Sequence, residues 1–346
     1  MNKNNLYENG FKNGSSTGSG NSLSNSPENT SGNASSPRCV AALFIAAFFW
    51  GTTFVAQSIG AKSVSAFTFL TCRSYIGTFF LLPFIIFRDK KRRLAEPEEY
   101  TPDKVKMSRK MHFKAGLICG FFLFAASFSQ QYGIAYTTTA KASFITTMYV
   151  VIVPVFSIFI GKKPEAKIWL AVIISVIGLY LLSIKGTLHI SLGDSFVMLC
   201  SVIFALQIMS VNHFTPKTDS LKLSCCMFFT VAVFATICMF IFENPTLGSI
   251  RKALPTILYA GIFSNGVAYT CQVIGQKGVA PSVASLIMCL ESVFGALSGW
   301  IVLKEDLSPR ELAGCILMFT AVLIAEVKLP GKKTNEITTE QPDTVN

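Results

Sequence analysis

"LIMCLESVFGALSGW" (Leu286 to Trp300) carries one ionisable side chain, Glu291, in a stretch that is otherwise apolar or small. No face of a helix or strand built from it is polar enough to meet bulk water, so the solvent around it decides the fold. Composition supplies the answer: of 346 residues, 51% are hydrophobic and only 14% charged, and the mean hydropathy is +0.50. Such a chain is an integral membrane protein. Working outward from Glu291 with a window of about 19 residues gives ten apolar segments, at 39–60, 65–87, 113–135, 142–160, 168–184, 193–211, 221–242, 254–275, 281–303 and 312–327. Most approach the roughly 17 to 25 residues that a helix needs to cross a hydrocarbon core about 30 Å thick. The runs are continuously apolar, whereas barrel strands alternate over about ten residues. The expected fold is therefore an all-α polytopic membrane protein of ten transmembrane helices.

Residues 1–38 are expected to form a cytoplasmic tail. "NGSSTGSGNSLSNSPENTSGNASS" within it has nothing to bury and reads as disordered. The first apolar segment starts too late and runs too long for a cleaved signal peptide, so it should remain as a helix. Orientation follows from the basic residues, because short basic loops resist translocation. With both tails inside, including a second one at 329–346, only Lys62, Lys141, Lys185, Arg251, Lys252, Lys304 and Arg310 are left outside. Arg73 lies within a span, and the rest of the 30 Lys and Arg fall on the cytoplasmic side, most densely in "RDKKRRLAEPEEYTPDKVKMSRKMHFK". The +11 net charge is thus mainly topological and meets anionic membrane lipids. A nucleic-acid partner is not expected, since no soluble domain presents the charge. The ten cysteines lie in or beside the spans without a CxxC pair and read as free apolar thiols, so neither metal nor cofactor is expected.

The spans repeat. Laying Gly133 to Ile184 over Gly275 to Glu326, an offset of 142 residues, pairs Ala142 with Ala284, Ser143 with Ser285, Ile145 with Ile287, Val151 with Val293 and Lys162 with Lys304. Upstream, "WGTTFVAQ" (Trp50 to Gln57) lies against "FALQIMSV" (Phe204 to Val211). The two halves, 39–184 and 193–328, carry five helices each. An odd number per half makes the second enter from the opposite face, giving inverted repeats. Such repeats place a substrate site near the midplane and expose it alternately by rocking.

"AAFFWGTTFVAQ", the Arg in "LTCRSYIG", "AYTTTAKASFITTMYVVIVPVFSI" and above all "ASLIMCLESVFGALSGWIVLKEDLSPRELAGCILMFTAVLIAEV" resemble the EamA-type branch of the drug/metabolite transporter superfamily. The resemblance runs from about residue 39 to 328 and implies a ten-helix carrier of two EamA repeats with both ends cytoplasmic. It also implies a Glu-Pro pair where this chain has Glu291-Ser292, so the residue that would impose a helix break there is absent. The family moves many kinds of small organic solute, and a bacterial inner membrane is the expected location.

Among polar residues inside the spans, Glu291 is too deep to reach the headgroups, and a charge there costs on the order of 3 kcal/mol. Two readings are open: proton coupling or substrate contact, and a structural acceptor between helices. Its GxxxG neighbours Gly295 and Gly299 favour close packing. Arg73 could neutralise Glu291, bind a substrate carboxylate, or reach the outer headgroups. Asn265, Tyr269, Gln272 and Gln276 are spaced as one helix stripe, either a cavity wall or a set of interhelical hydrogen bonds. Trp50, Thr53 and Gln57 form a similar line, Ser127 and Gln131 a shorter one, and Gln207 and Tyr149 are single polar groups at depth. The expected substrate-binding set is Trp50, Gln57, Arg73, Gln131, Tyr149, Gln207, Asn265, Tyr269 and Gln272, with Glu291 for coupling or structure.

The sequence lacks HExxH, GxSxG and Walker motifs, and no soluble segment could house a nucleotide domain. The chain reads as a secondary carrier, not an enzyme, exporting an amino acid, metabolite or amphipathic drug, driven by protons or facilitative. The alternative is a membrane receptor or scaffold using the tail and basic loop. The sequence sets no oligomeric state.

Overall fold

The structure, a computed structural model, describes residues 36–95, 102–137, 139–183, 191–303 and 308–326. Apart from residues 36–38, the two tails read above lie outside the described residues, as do Lys185 and Lys304. Among the described residues, nine helical stretches are long and apolar enough to cross a membrane. The tenth, Pro309–Glu326, is 18 residues long and carries Arg310, Glu311 and Glu326 at its ends. Phe79, Ile173, Ile237 and Leu323 point away from the protein, the pattern of a bundle whose outer solvent is lipid.

α1 (Pro37–Ala61) begins with proline at its first position, where no N–H is needed. α2 (Ala66–Ala95) and α3 (Pro102–Ile134) run well past the apolar segments into the basic loop. Lys, Arg and Glu are good helix formers, and Arg92 and Arg93 in the last turn of α2 suit the negative end of its dipole. α6 (Ala166–Ser183), α7 (Leu192–Phe214) and α8 (Ser220–Phe242) follow the broken fourth span. Ser191 and Asp194 form a reciprocal capping box at the start of α7. The last helix, Pro309–Glu326, is α13.

Two spans are interrupted. The fourth consists of α4 (Thr139–Thr146) and α5 (Tyr149–Phe159), the ninth of α11 (Pro281–Met288) and α12 (Glu291–Leu303). Both interruptions fall at equivalent places under the 142-residue offset, so Tyr149 and Glu291 each open the resumed helix. The missing proline therefore does not leave the ninth span continuous. Side-chain donors take up carbonyls at the two turns instead: Thr147 Oγ1 donates to Ser143 O (2.8 Å) and Cys289 Sγ to Leu286 O (3.0 Å). Ser292 hydrogen-bonds Ser143 (2.7 Å) and Thr147 (3.3 Å), tying one break to the other.

The eighth span also departs from a plain helix: α9 (Leu247–Tyr259) opens into a π-helix over Ala260–Tyr269 before α10 (Thr270–Gly275). π-helical turns are rare and concentrate at functional sites.

α6 packs along α13, α2 along α8, and α3 along both α7 and α8, while α1 contacts α12 and the eighth span. The eighth span also contacts α2, and α7 contacts α4 and α5, so exchanging the two halves maps this set of pairings onto itself. Close approach depends on small residues: a Cβ on Gly51 of α1 would lie 2.5 Å from Glu291 O and 2.7 Å from Gly295 N of α12. Gly295 of the sequence's GxxxG thus faces α1 on the same side as Glu291.

α2 and α8 are clamped at both ends. At one end, Glu243 accepts from the N–H groups of Phe67 and Thr68 (both 2.8 Å) and from Thr68 Oγ1 (2.6 Å), capping α2 from another helix. At the other, Asp219 caps α8 and pairs with Arg88 and, at 3.5 Å, Arg92, while Lys222 pairs with Asp89 at 2.8 Å. His112 Nε2 accepts from Asp219 N–H (2.9 Å), which leaves Nδ1 to donate to Ser108 O (2.7 Å). Burial pushes the Asp219 carboxyl up, but hydrogen bonds from Arg88 and Lys222 N–H, with the charges of Arg88 and Arg92, outweigh it and hold it below its ordinary value. A depressed folded-state value gives stability that is complete above the unfolded value of about 4 and lost as pH falls through the folded one. Asp219→Asn is expected to melt below wild type at pH 7, with the gap closing below about pH 4. Thermal unfolding in detergent across that range checks it; a gap that widens on acidification would refute the pairing as its cause.

Candidate functional site

A cavity lies where the broken spans meet α1, α2, α3, α7 and the eighth span. It holds about 30 Å³ for water centres, room for about two water molecules. The turn after α11 brings Met288 and Glu291 to it, and the turn after α4 brings Tyr149. α1 presents Trp50, Thr53, Phe54 and Gln57 at helical spacing. Arg73 enters from α2, Gln130 from α3, Phe204, Gln207 and Ile208 from α7, and Ser264, Tyr269 and Gln272 from the eighth span.

Glu291 is 5% exposed, and its carboxyl accepts from Tyr149 OH at 3.2 Å. Tyr269 stacks edge-on against Trp50, ring centroids 4.7 Å apart, and against Phe228 at 5.6 Å. Glutamine pairs bound the cavity along the bundle: Gln57 Nε2 donates to Gln130 Oε1 (3.3 Å) on one side, and Gln272 Nε2 to Gln207 Oε1 (3.2 Å) on the other. Gln130 and Gln272 are equivalent under the 142-residue offset. Trp50 Nε1, Arg73 Nε, Gln207 Nε2 and Gln272 Oε1 are buried without a hydrogen-bond partner, an unusual concentration of unsatisfied polar atoms.

The structure brings together Trp50, Gln57, Arg73, Tyr149, Gln207, Tyr269, Gln272 and Glu291, but not two other residues of the expected set. Asn265 is buried against α2, its Cβ 2.7 Å from where a Cβ on Gly77 would stand. The π-helix turns it there, because wider turns break the spacing assumed for the stripe, and Ser264 faces the cavity in its place. Gln131 lines a separate, wider vestibule of about 530 Å³ with Lys62, Tyr132, Tyr136 and Glu243, and its amide donates to Gln57 O at 3.4 Å. Gln130, one residue earlier, takes the cavity position; its equivalence to Gln272 was the signal available for it. All ten cysteines are free.

Comparison with known proteins follows the same outline. The chain is 29% identical over 292 residues to an uncharacterized transporter of Archaeoglobus fulgidus, covering 83% of this chain and 85% of that one. It is 25% identical to the uncharacterized transporter YwfM of Bacillus subtilis, over 85% of this chain and 95% of the relative. A protein of known crystal structure shares the fold with a TM-score of 0.64 at 17% identity, covering 83% of this chain and 96% of its own. The model of the EamA-like transporter family, part of the drug/metabolite transporter superfamily, matches twice, over residues 37–184 and 191–326, and the chain belongs to that family.

Proposed function

We propose that the solute crosses the membrane through the cavity between Glu291 and Arg73, that two inverted five-helix repeats rock around it, and that Glu291 carries a coupling proton. As a member of its family the chain is a secondary transporter of small organic solutes working by alternating access, not an enzyme. The observation that carries the assignment of the route is the cavity itself, whose polar lining is drawn from both halves of the chain at the two helix breaks. The repeat reading is supported by the two matches of the family model, the equivalent breaks and the pairings that survive exchange of the halves.

The dimensions fit one stage of a cycle. Pockets for small organic ligands hold about 300–1,000 Å³; the vestibule reaches that size, whereas the cavity is contracted. The glutamines Gln57, Gln130 and Gln131 lie between the two spaces, and their separation would admit a solute. A cytoplasmic placement of both termini, in a prokaryotic cell membrane, is supported by the basic ends of α2 and α3 and by the relatives in Bacillus subtilis and Archaeoglobus fulgidus.

Flux of amino acids, monocarboxylates and cationic dyes through protein reconstituted in liposomes tests the route. Trp50→Ala and Gln272→Leu are expected to lower flux about tenfold or more, since each removes a cavity group worth at least ~1.4 kcal/mol, while leaving the amount of folded protein unchanged. Parallel loss of flux and folded protein would make these residues packing elements and remove support for the cavity as the route.

A further inference from the structure

We propose that the transported solute bears a carboxylate and that Arg73 is the group that holds it; this rests on the cavity being the transport route and narrows what the route accepts. Arg73 sits about two turns into α2 and is 3% exposed, so its guanidinium does not reach the headgroups. Among the described residues it forms no ion pair with a carboxylate within 4.0 Å, and its Nε is buried without a hydrogen-bond partner, so it does not neutralise Glu291 either. Its Cζ lies over the face of Phe69, 5.8 Å from the ring centroid. Other buried carboxyls here are served: Asp194 by Lys141, Thr137 and Ser191 N–H, Glu291 by Tyr149, as is the half-buried Glu243 by the start of α2. Arg73 stands apart from them.

A buried, fixed charge without a partner is a standing cost that folding alone gives no reason to keep. The chemistry around it indicates what would relieve that cost. Guanidinium is a planar fork of donors with no acceptor, matched to a planar two-oxygen group. The indole N–H of Trp50 adds a second unpartnered donor on the same cavity. A carboxylate only accepts, so it satisfies both; an organic cation placed beside these two groups would meet donors and like charge. A phosphate monoester carries about two charges, and no second Lys or Arg lines the cavity. The apolar remainder of the solute would lie against Phe204, Tyr269 and Met288.

The test uses full-length protein in nanodiscs for thermal unfolding and in liposomes for flux, with wild type, Arg73→Gln and Arg73→Lys. Probes are matched pairs: phenylalanine and phenylalaninamide, 3-phenylpropanoate and 3-phenylpropanamide, with phenyl phosphate and a cationic dye. The expected result is that a carboxylate raises the unfolding temperature and is transported, its amide being about tenfold to a hundredfold weaker. Arg73→Gln removes that preference, and without solute it unfolds at or above the wild-type temperature because an unpaired buried charge has gone. Arg73→Lys keeps a weaker preference, having the charge without the fork. An Arg73→Gln protein that unfolds well below wild type and is restored by Arg73→Lys overturns the proposal in favour of a structural charge. Amide, phosphate or dye flux through wild type that equals or exceeds that of the matched carboxylate, and that Arg73→Gln leaves undiminished, overturns the carboxylate and keeps the cavity route. A wild type that neither moves nor is stabilised by any probe overturns both.

Discussion

Glu291→Gln protein in liposomes is expected to fold and to exchange solute down its own gradient, yet to lose nearly all accumulation driven by a pH gradient. Glutamine has nearly the shape of the carboxylic acid and keeps an oxygen to accept from Tyr149 OH, so the contact at the break survives. What disappears is the ability to gain and lose a proton. Glu291, 5% exposed within the span, is costly when charged, and intramembrane ionisable groups of this kind mark ion pathways and proton relays. Tyr149, Tyr269, Cys200 and Cys289 are the titratable groups that interact with it, and Arg73, on the same cavity, brings the fixed charge. Gradient-driven accumulation should fall by about tenfold or more, with the unfolding temperature equal to or above that of wild type. Undiminished accumulation would assign Glu291 to packing and put the coupling proton on another group; no pH-driven accumulation in either protein would leave a facilitator or another driving ion.

The second large effect is on folding. Gly51→Val should yield little folded protein, because its first side-chain carbon would fall 2.5 Å from Glu291 O, 2.5 Å from Phe294 Cβ and 2.7 Å from Gly295 N. Two of those three atoms are backbone, so relief requires α1 and α12 to separate, and overpacking of this kind costs at least ~3 kcal/mol. Gly248→Ala provides the comparison, since nothing stands within 4 Å of its added carbon; it should behave as wild type. Detergent-solubilised yield and unfolding temperature measure both. A Gly51→Val protein as stable as Gly248→Ala would mean that α1 and α12 do not meet as described.

Much of this architecture was legible because the bilayer simplifies the problem: its thickness fixes span length and its dryness forbids irregular backbone outside cavities. The ends were less legible. α2 and α3 continue into Lys- and Arg-rich sequence that hydropathy reads as loop but helix propensity does not. The break before Glu291 was hidden because Ser292 replaces the expected proline and acts through its hydroxyl instead. At the site, α1 kept its period, so Trp50 and Gln57 could be placed together from spacing alone. Asn265 could not, because a π-helix is a property of packing against α2 that no 3.6-residue template contains. Gln130 and Gln131 differ by about 100° around α3, and only knowing the neighbours selects one.

The hydrogen bond between Tyr149 and Glu291 joins two positions that the 142-residue offset makes equivalent. Two separate copies of one five-helix chain could only have set like against like there. Paired glutamates at that depth would have to share a proton, and paired tyrosines would offer no carboxyl at all. Carrying both halves on one polypeptide lets a duplicated position diverge, one copy becoming the donor and the other the acceptor. At its centre, therefore, the fused chain has a polarity that an assembly of identical halves is barred from having by symmetry.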